Sequence, residues 1–121
     1  SLTEILIGIK IDDEFGPVIV IGAGGIYTEL IRETKTLLLP LTKKDIHNEL
    51  KNMKIGKILF GYRNQEGADI DSLIKTILSL SKFAEKNINK LHEIEINPLI
   101  VCKKNKGVFA VDALIHYFEE L

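Results

Sequence analysis

The sequence predicts an α+β domain: a mainly antiparallel sheet with helices packed on it. Three observations point there. Segments with a two-residue apolar period occupy both ends of the chain, two apolar stripes of helical period lie between them, and the connections are short and rich in glycine or polar residues. At 121 residues and 45% hydrophobic the chain fits one compact domain able to bury a core.

Ile5, Ile7 and Ile9 alternate with Leu6, Gly8 and Lys10, as in a strand with one face on a core, and Asp12 to Gly16 turns the chain. Val18 to Ile21 is a continuous apolar run, expected of a central strand covered on both faces, and Gly22 to Gly25 ends it. Ile26 to Arg32 reads as a further strand. A short apolar stretch, Leu37 to Leu39, ends at Pro40, after which Thr42 and Asp45 have the spacing of a capping box for a helix with Ile46, Leu50 and Met53 on one side. Gly56 and Gly61 bracket a short segment, and Gly61 to Ala68 is a polar loop. Asp69 or Asp71 caps the next helix, whose stripe of Ile70, Leu73, Ile74, Ile77, Leu80 and Ala84 runs to about Lys86. His92, Ile94 and Ile96 then face the core while Glu93, Glu95 and Asn97 face away; the strand continues to Cys102, turns over Lys103 to Gly107, and returns from Val108 to Leu114.

Composition excludes several function classes. With 16 basic and 17 acidic residues and a formal charge of -1, no basic block offers a footprint for nucleic acid. The longest apolar run, Pro17 to Ile21, falls far short of the roughly 20 residues that cross a bilayer, so no membrane partner and a cytoplasmic location are expected. Cys102, the single cysteine, can form no internal disulfide and reads as a small core residue. The chain opens Ser1-Leu2 without a methionine, which suggests a cloning scar ahead of a piece of a longer protein.

The C-terminal hairpin carries the chemistry. Glu93, Glu95 and Asn97 project from one strand face, and the return strand brings Asp112 back beside Asn97 and Pro98, so an amide oxygen and a carboxylate approach one another. Such oxygens suit magnesium, which keeps several waters and takes only one or two protein ligands beside nucleotide phosphates. A turn pairing Cys102 with Val108 would set Asp112 opposite Pro98 on the wrong face; a bend at Pro98 or a one-residue register change restores the pair. The alternative is a solvated strand face that Asp112 merely ends.

At these residues the sequence resembles a known family. Glu95-Ile96-Asn97-Pro98-Leu99 followed by Val111-Asp112-Ala113 is similar to the end of the ATP-grasp domain in succinyl-CoA synthetase and ADP-forming acetyl-CoA synthetase. Phe15-Gly16-Pro17-Val18, Gly24 to Glu29 and Gly61-Tyr62-Arg63 extend the resemblance in the same order, closest to the acetyl-CoA synthetase branch. It implies that residues 1–121 are a C-terminal ATP-grasp subdomain, with Asn97 and Asp112 as ligands of a magnesium ion bridging ATP or ADP phosphates. Glu95 then matches a glutamate that meets a phosphorylated histidine, as a carboxylate able to accept the imidazole N–H and orient the other nitrogen would.

The implied partners are the N-terminal ATP-grasp subdomain, CoA-binding and ligase domains or a subunit carrying the phosphohistidine, and, through the full enzyme, CoA and an acyl substrate. None of His47, His92 and His116 matches the phosphohistidine: His92 reads as packed, His47 lies on a polar helix face and His116 near the C-terminus. Gly24 and Gly25 either approach phosphate or simply turn the chain between strands. Glu29 and Arg63 match family positions but read as an ion pair and a solvated loop residue, and Asn64 stands where the family commonly has glycine. Two rivals remain: a ligand-binding synthetase-like region fused to a protein-lysine acetyltransferase, and a non-catalytic interaction module that kept the fold.

Overall fold

A computed structural model of the chain describes residues 2–25, 27–61 and 66–118. Its elements run β1 (Thr3–Asp12), β2 (Gly16–Ala23), α1 (Tyr27–Leu30), β3 (Thr34–Leu38), α2 (Lys43–Asn52), α3 (Gly56–Leu59), α4 (Ile70–Lys86), β4 (Leu91–Val101), β5 (Val108–Ala110) and β6 (Ala113–Tyr117). The strands form one six-stranded sheet in the order β3-β2-β1-β4-β5, with β6 also paired to β4, and every pairing is antiparallel. The predicted α+β class therefore holds.

Alternation decides which side of the sheet is covered. Ile5, Ile7 and Ile9 of β1, Ile19 and Ile21 of β2, and Ile94 and Ile96 of β4 are buried in one cluster with Ile46 and Leu50 of α2 and Leu73, Ile74 and Ile77 of α4. Both long helices begin as the sequence implies. Thr42 Oγ1 accepts from the Asp45 N–H while the Asp45 carboxylate accepts from the Thr42 N–H, completing the capping box, and Asp69 caps α4 by accepting from the Ser72 N–H.

Four expectations need correction. The strand expected over Ile26 to Arg32 is absent: Gly25 turns at φ 54°, the Thr28 N–H donates to the Gly25 carbonyl, and Tyr27–Leu30 form a single helical turn with Leu30 80% exposed. Ile26 lies outside the described residues. The strand beside β2 is instead β3, where the sequence showed only a short apolar stretch, and Pro40 lies just past its end. Secondly, β2 is fully covered on its helix face only; on the other face Val18 and Gly22 are buried but Val20 is half-buried.

His92 is not packed among core isoleucines. A register shift between Leu91 and Glu93 against β6 breaks the alternation there, so Leu91 is buried while His92 is exposed and meets the Phe118 ring at 5.0 Å. Finally, the returning strand is interrupted: β5 stops at Ala110 and β6 resumes at Ala113, leaving Val111 and Asp112 between them. Cys102 is partly buried at the end of β4.

The register of the hairpin has a cause outside the hairpin. Asp69, a buried residue, accepts from the Ser72 N–H at 3.1 Å through one carboxylate oxygen and from the Gly107 N–H at 2.8 Å through the other. The Gly107 hydrogen bond first, and the Ser72 bond after it, hold this carboxyl below its ordinary pKa. The Asp69 N–H donates to the Cys102 carbonyl, and Cys102 donates to the Gly107 carbonyl. The α4 N-terminus thus clamps both arms of the turn and pairs Cys102 with Gly107, one residue earlier than the Cys102 to Val108 pairing.

Candidate functional site

Counting back from that clamp places the site. Val101 pairs with Val108, Ile100 with Phe109 and Leu99 with Ala110, and beyond the interruption Ile96 pairs with Ala113 and Glu95 with Leu114. The Asn97 N–H donates to the Asp112 carbonyl at 3.1 Å, so Asn97 and Asp112 stand directly opposite one another. Opposed residues of antiparallel strands share a face, with Cβ atoms about 4.5–5.5 Å apart. Both side chains are exposed on the side away from the helices, and with Glu95 and Leu114 they line a shallow pocket of about 150 Å³.

A bulge aims Asn97. Between Ile5–Leu99 and Ile7–Ile96 the β1–β4 register shifts by one residue, so Asn97 and Pro98 together face Leu6. An extra residue of this kind bends a strand and reverses which side chains face the core. Ile94 and Ile96 are buried before the bulge, Leu99 and Val101 after it. The bend at Pro98 and the one-residue register change weighed in the sequence are both present.

Gly24 and Gly25 reach this corner from β2. A Cβ on Gly24 would stand 2.6 Å from the Ile5 carbonyl carbon, and one on Gly25 would meet the Glu4 carboxylate at 2.5 Å, so only glycines let the chain cross β1 here. Their N–H groups are engaged within the chain, Gly24 to the Glu4 carbonyl at 3.0 Å and Gly25 to Asn97 Oδ1 at 3.2 Å. In this structure the Gly25 N–H orients the Asn97 amide oxygen, which keeps a second lone pair for a cation. Beyond Gly25 a wider depression of about 640 Å³ is lined by Glu4, Gly25, Thr28, Glu29, Pro98 and Val111. Glu29 lies on α1 rather than in a strand, and Arg63 and Asn64 fall outside the described residues.

Charge separates neighbouring rows of this open face. Glu93 lies opposite Lys10 on one side and His116 on the other, with His116 Nδ1 at 3.0 Å from Glu93 Oε1. Glu95 and Asp112, diagonal neighbours one row along, have no side-chain hydrogen-bond or ion-pair partner among the described residues. The Asn97 amide oxygen and the Asp112 carboxylate, opposed with no cation from the chain between them, make an oxygen donor pair that fits one hard divalent ion keeping its own waters, with the Glu95 carboxylate beside it. Among the described residues no three His, Cys, Asp or Glu side chains cluster as a fuller metal cage would. His47 packs edge-on against Phe60 at 5.2 Å, far in sequence from this face. The part played by Asp69 in setting the register was not visible in the sequence, where it showed only as a cap.

Comparison with known proteins agrees with the fold. The ATP-grasp domain family matches residues 1–116. Subunit beta of the ADP-forming acetate–CoA ligase II of Pyrococcus furiosus is 34% identical over 112 residues, covering 93% of this chain and 48% of the subunit. The ADP-forming 4-hydroxybutyrate–CoA ligase of Nitrosopumilus maritimus is 35% identical over 93% of this chain and 16% of its own length. Among solved structures, PH1788 from Pyrococcus horikoshii Ot3 superposes with a TM-score of 0.88 at 32% identity, over 98% of this chain and 49% of that one. An acetyl-coenzyme A synthetase of Ca. Korarchaeum cryptofilum, in complex with coenzyme A and Mg-AMPPCP and with its phosphohistidine segment pointing towards the nucleotide binding site, gives 0.84 at 31% identity over 96% of this chain and 53% of that one. The chain thus spans about half or less of each of these relatives. No helix among the described residues is long and apolar enough to cross a membrane. An antiparallel sheet with helices on one side, matched by the family over residues 1–116, makes this chain a member of the ATP-grasp domain family.

Proposed function

We propose that this chain is the C-terminal subdomain of an ATP-grasp fold and supplies one jaw of the nucleotide site of an ADP-forming acyl-CoA synthetase of the acetyl-CoA branch. The parent enzyme interconverts acyl-CoA, ADP and phosphate with the acid, CoA and ATP through a phosphohistidine. The observation that carries this reading is the pairing of Asn97 with Asp112 on the open face, beside the unpartnered carboxylate of Glu95.

In this reading Asn97 and Asp112 would hold magnesium, which would offset the charge of the nucleotide phosphates. Gly25 fixes the Asn97 amide through its N–H, keeping the oxygen aimed while the nucleotide exchanges. Gly24 and Gly25 border the phosphates without donating to them. Glu95 accepts the N–H of the incoming imidazole, so that the phosphoryl group moves between its other nitrogen and the terminal oxygen of ADP, the N–P bond breaking as the O–P bond forms. The second jaw, the CoA-binding and ligase domains and the histidine come from the rest of the protein or from a partner subunit, in line with the half-length match to relatives. A cytoplasmic location fits a reaction that draws on ADP and CoA.

The test is single-turnover phosphorylation of the histidine by ATP in the full-length protein at varied magnesium. Asp112→Asn keeps the size of the side chain but removes a charge facing the dication. Its rate should fall by about two orders of magnitude, from a loss of several kcal/mol in stabilising the transferring group. Asn97→Ala should slow the reaction in the same direction, and wild-type rates in both variants would overturn the proposal.

A further inference from the structure

Gly8 is the described glycine that the fold of the chain does not itself require. Gly16, Gly25, Gly61 and Gly107 have positive φ. A Cβ on Gly22 would stand 2.6 Å from the Glu33 carbonyl oxygen, on Gly24 2.6 Å from Ile5, on Gly67 3.1 Å from the Leu59 carbonyl oxygen, and on Gly56 it would collide with the Leu50 carbonyl oxygen. At Gly8 the backbone is ordinary strand, and a Cβ would rest 3.8 Å from both the Ile94 carbonyl oxygen and Val20 Cβ, a normal contact. A glycine in the middle of a strand gives up chain entropy and a packed side chain, and it often marks a place where something approaches the backbone closely.

The position tells what approaches. Gly8 faces the open side, half-buried, in a straight cross-strand row of Thr36, Val20, Gly8, Glu95 and Leu114. The missing side chain leaves a notch directly in front of the unpartnered Glu95 carboxylate, and beyond Glu95 the row ends at Leu114, an apolar side chain 49% exposed. The row of Asn97 and Asp112 meets β1 at Leu6 instead. A nucleotide phosphate would be repelled by Glu95, whereas an imidazole N–H is drawn to it.

We infer that Gly8 is a clearance site, letting the backbone of the imidazole-bearing segment settle onto the sheet so that the imidazole reaches Glu95. The inference rests on the proposed function, since it takes Glu95 as the group that receives the imidazole. Gly8 is then a positioning residue: it touches the segment and not the transferring phosphoryl group.

The experiment compares Gly8→Ala and Gly8→Val with wild type in the full-length protein, reading thermal unfolding, the affinity for Mg-ADP and single-turnover histidine phosphorylation by ATP. Both variants should fold with an unfolding midpoint no lower than wild type. Affinity for Mg-ADP should stay within about twofold, while phosphorylation slows several-fold in Gly8→Ala and by about tenfold or more in Gly8→Val, as a displaced reacting group requires. Should Gly8→Val not fold, Gly8→Ala, whose Cβ has room, carries the comparison. Unchanged phosphorylation in folded variants would overturn the inference while leaving the proposed function standing. Loss of Mg-ADP affinity by the same factor as the rate would overturn it in favour of a floor for the nucleotide. A wild-type protein that takes no phosphoryl group from ATP would defeat the functional reading, and this inference with it.

Discussion

The two faces of the sheet are built from the same strands and obey opposite rules. On the covered face Ile5, Ile7, Ile9, Ile19 and Ile21 are fully buried under α2 and α4, and substitution there touches packing. On the open face the residues between them are Gly8, Lys10, Glu93, Glu95 and Asn97, with Leu114 and Asp112 brought in by the last strand. The chain partners Glu93 through His116 and the Asn97 amide oxygen through the Gly25 N–H, and leaves the Glu95 and Asp112 carboxylates to water or a ligand. Half of each strand's sequence is therefore an account of stability and the other half an account of what the domain meets.

That division predicts a ranking of effects. Ile77→Ala, in the middle of the α4 stripe and fully buried, removes packed volume from the core and should cost about 2–5 kcal/mol of unfolding free energy. Glu95→Gln, on the open face with no partner among the described residues, should stay within about 0.5 kcal/mol in the same denaturant titration. Equal losses in the two variants would mean that the open face belongs to the core after all.

Asp69 joins the two faces, since it caps α4 on one side and fixes the turn that sets the Asn97–Asp112 register on the other. Asp69→Ala should cost about 1–3 kcal/mol, smaller than the loss of a large core side chain, and should speed amide exchange at Gly107 and Asn97. The sign of its pH dependence follows from the lowered pKa. Its contribution is complete above the unfolded carboxyl value near 3.8 and is lost as pH falls through the lower folded value, so wild type should lose stability on acidification and Asp69→Ala should lose less. A parallel fall in both proteins below pH 4 would remove Asp69 from the account.

Period and capping made much of this fold legible. The α2 capping box, the α4 stripe and the burial of Ile94 and Ile96 in β4 follow from local rules and appear where those rules put them. The misread segments are those where a distant residue decides. Gly25 is held by Asn97, 72 positions on, so the stretch after it turns helical instead of extending, and β3 takes the place beside β2. His92 leaves the core because a bulge against β6 shifts the pairing. At the candidate site, Asn97, Asp112 and Glu95 were readable as residue types on one hairpin. Their register was not, because it depends on a carboxylate 38 residues away from Gly107. Gly8 escaped notice because alternation counts a glycine as merely not apolar.

The most direct measurement for the central claim uses Mn²⁺ as a paramagnetic stand-in for magnesium, added with ADP to the isotope-labelled chain while backbone amide resonances are followed. The account predicts selective broadening at Gly24, Gly25, Glu95 to Asn97 and Asp112 to Leu114, with α4 untouched and the effect strongly reduced in Asp112→Asn. Broadening centred elsewhere, or a pattern unchanged in Asp112→Asn, would contradict it.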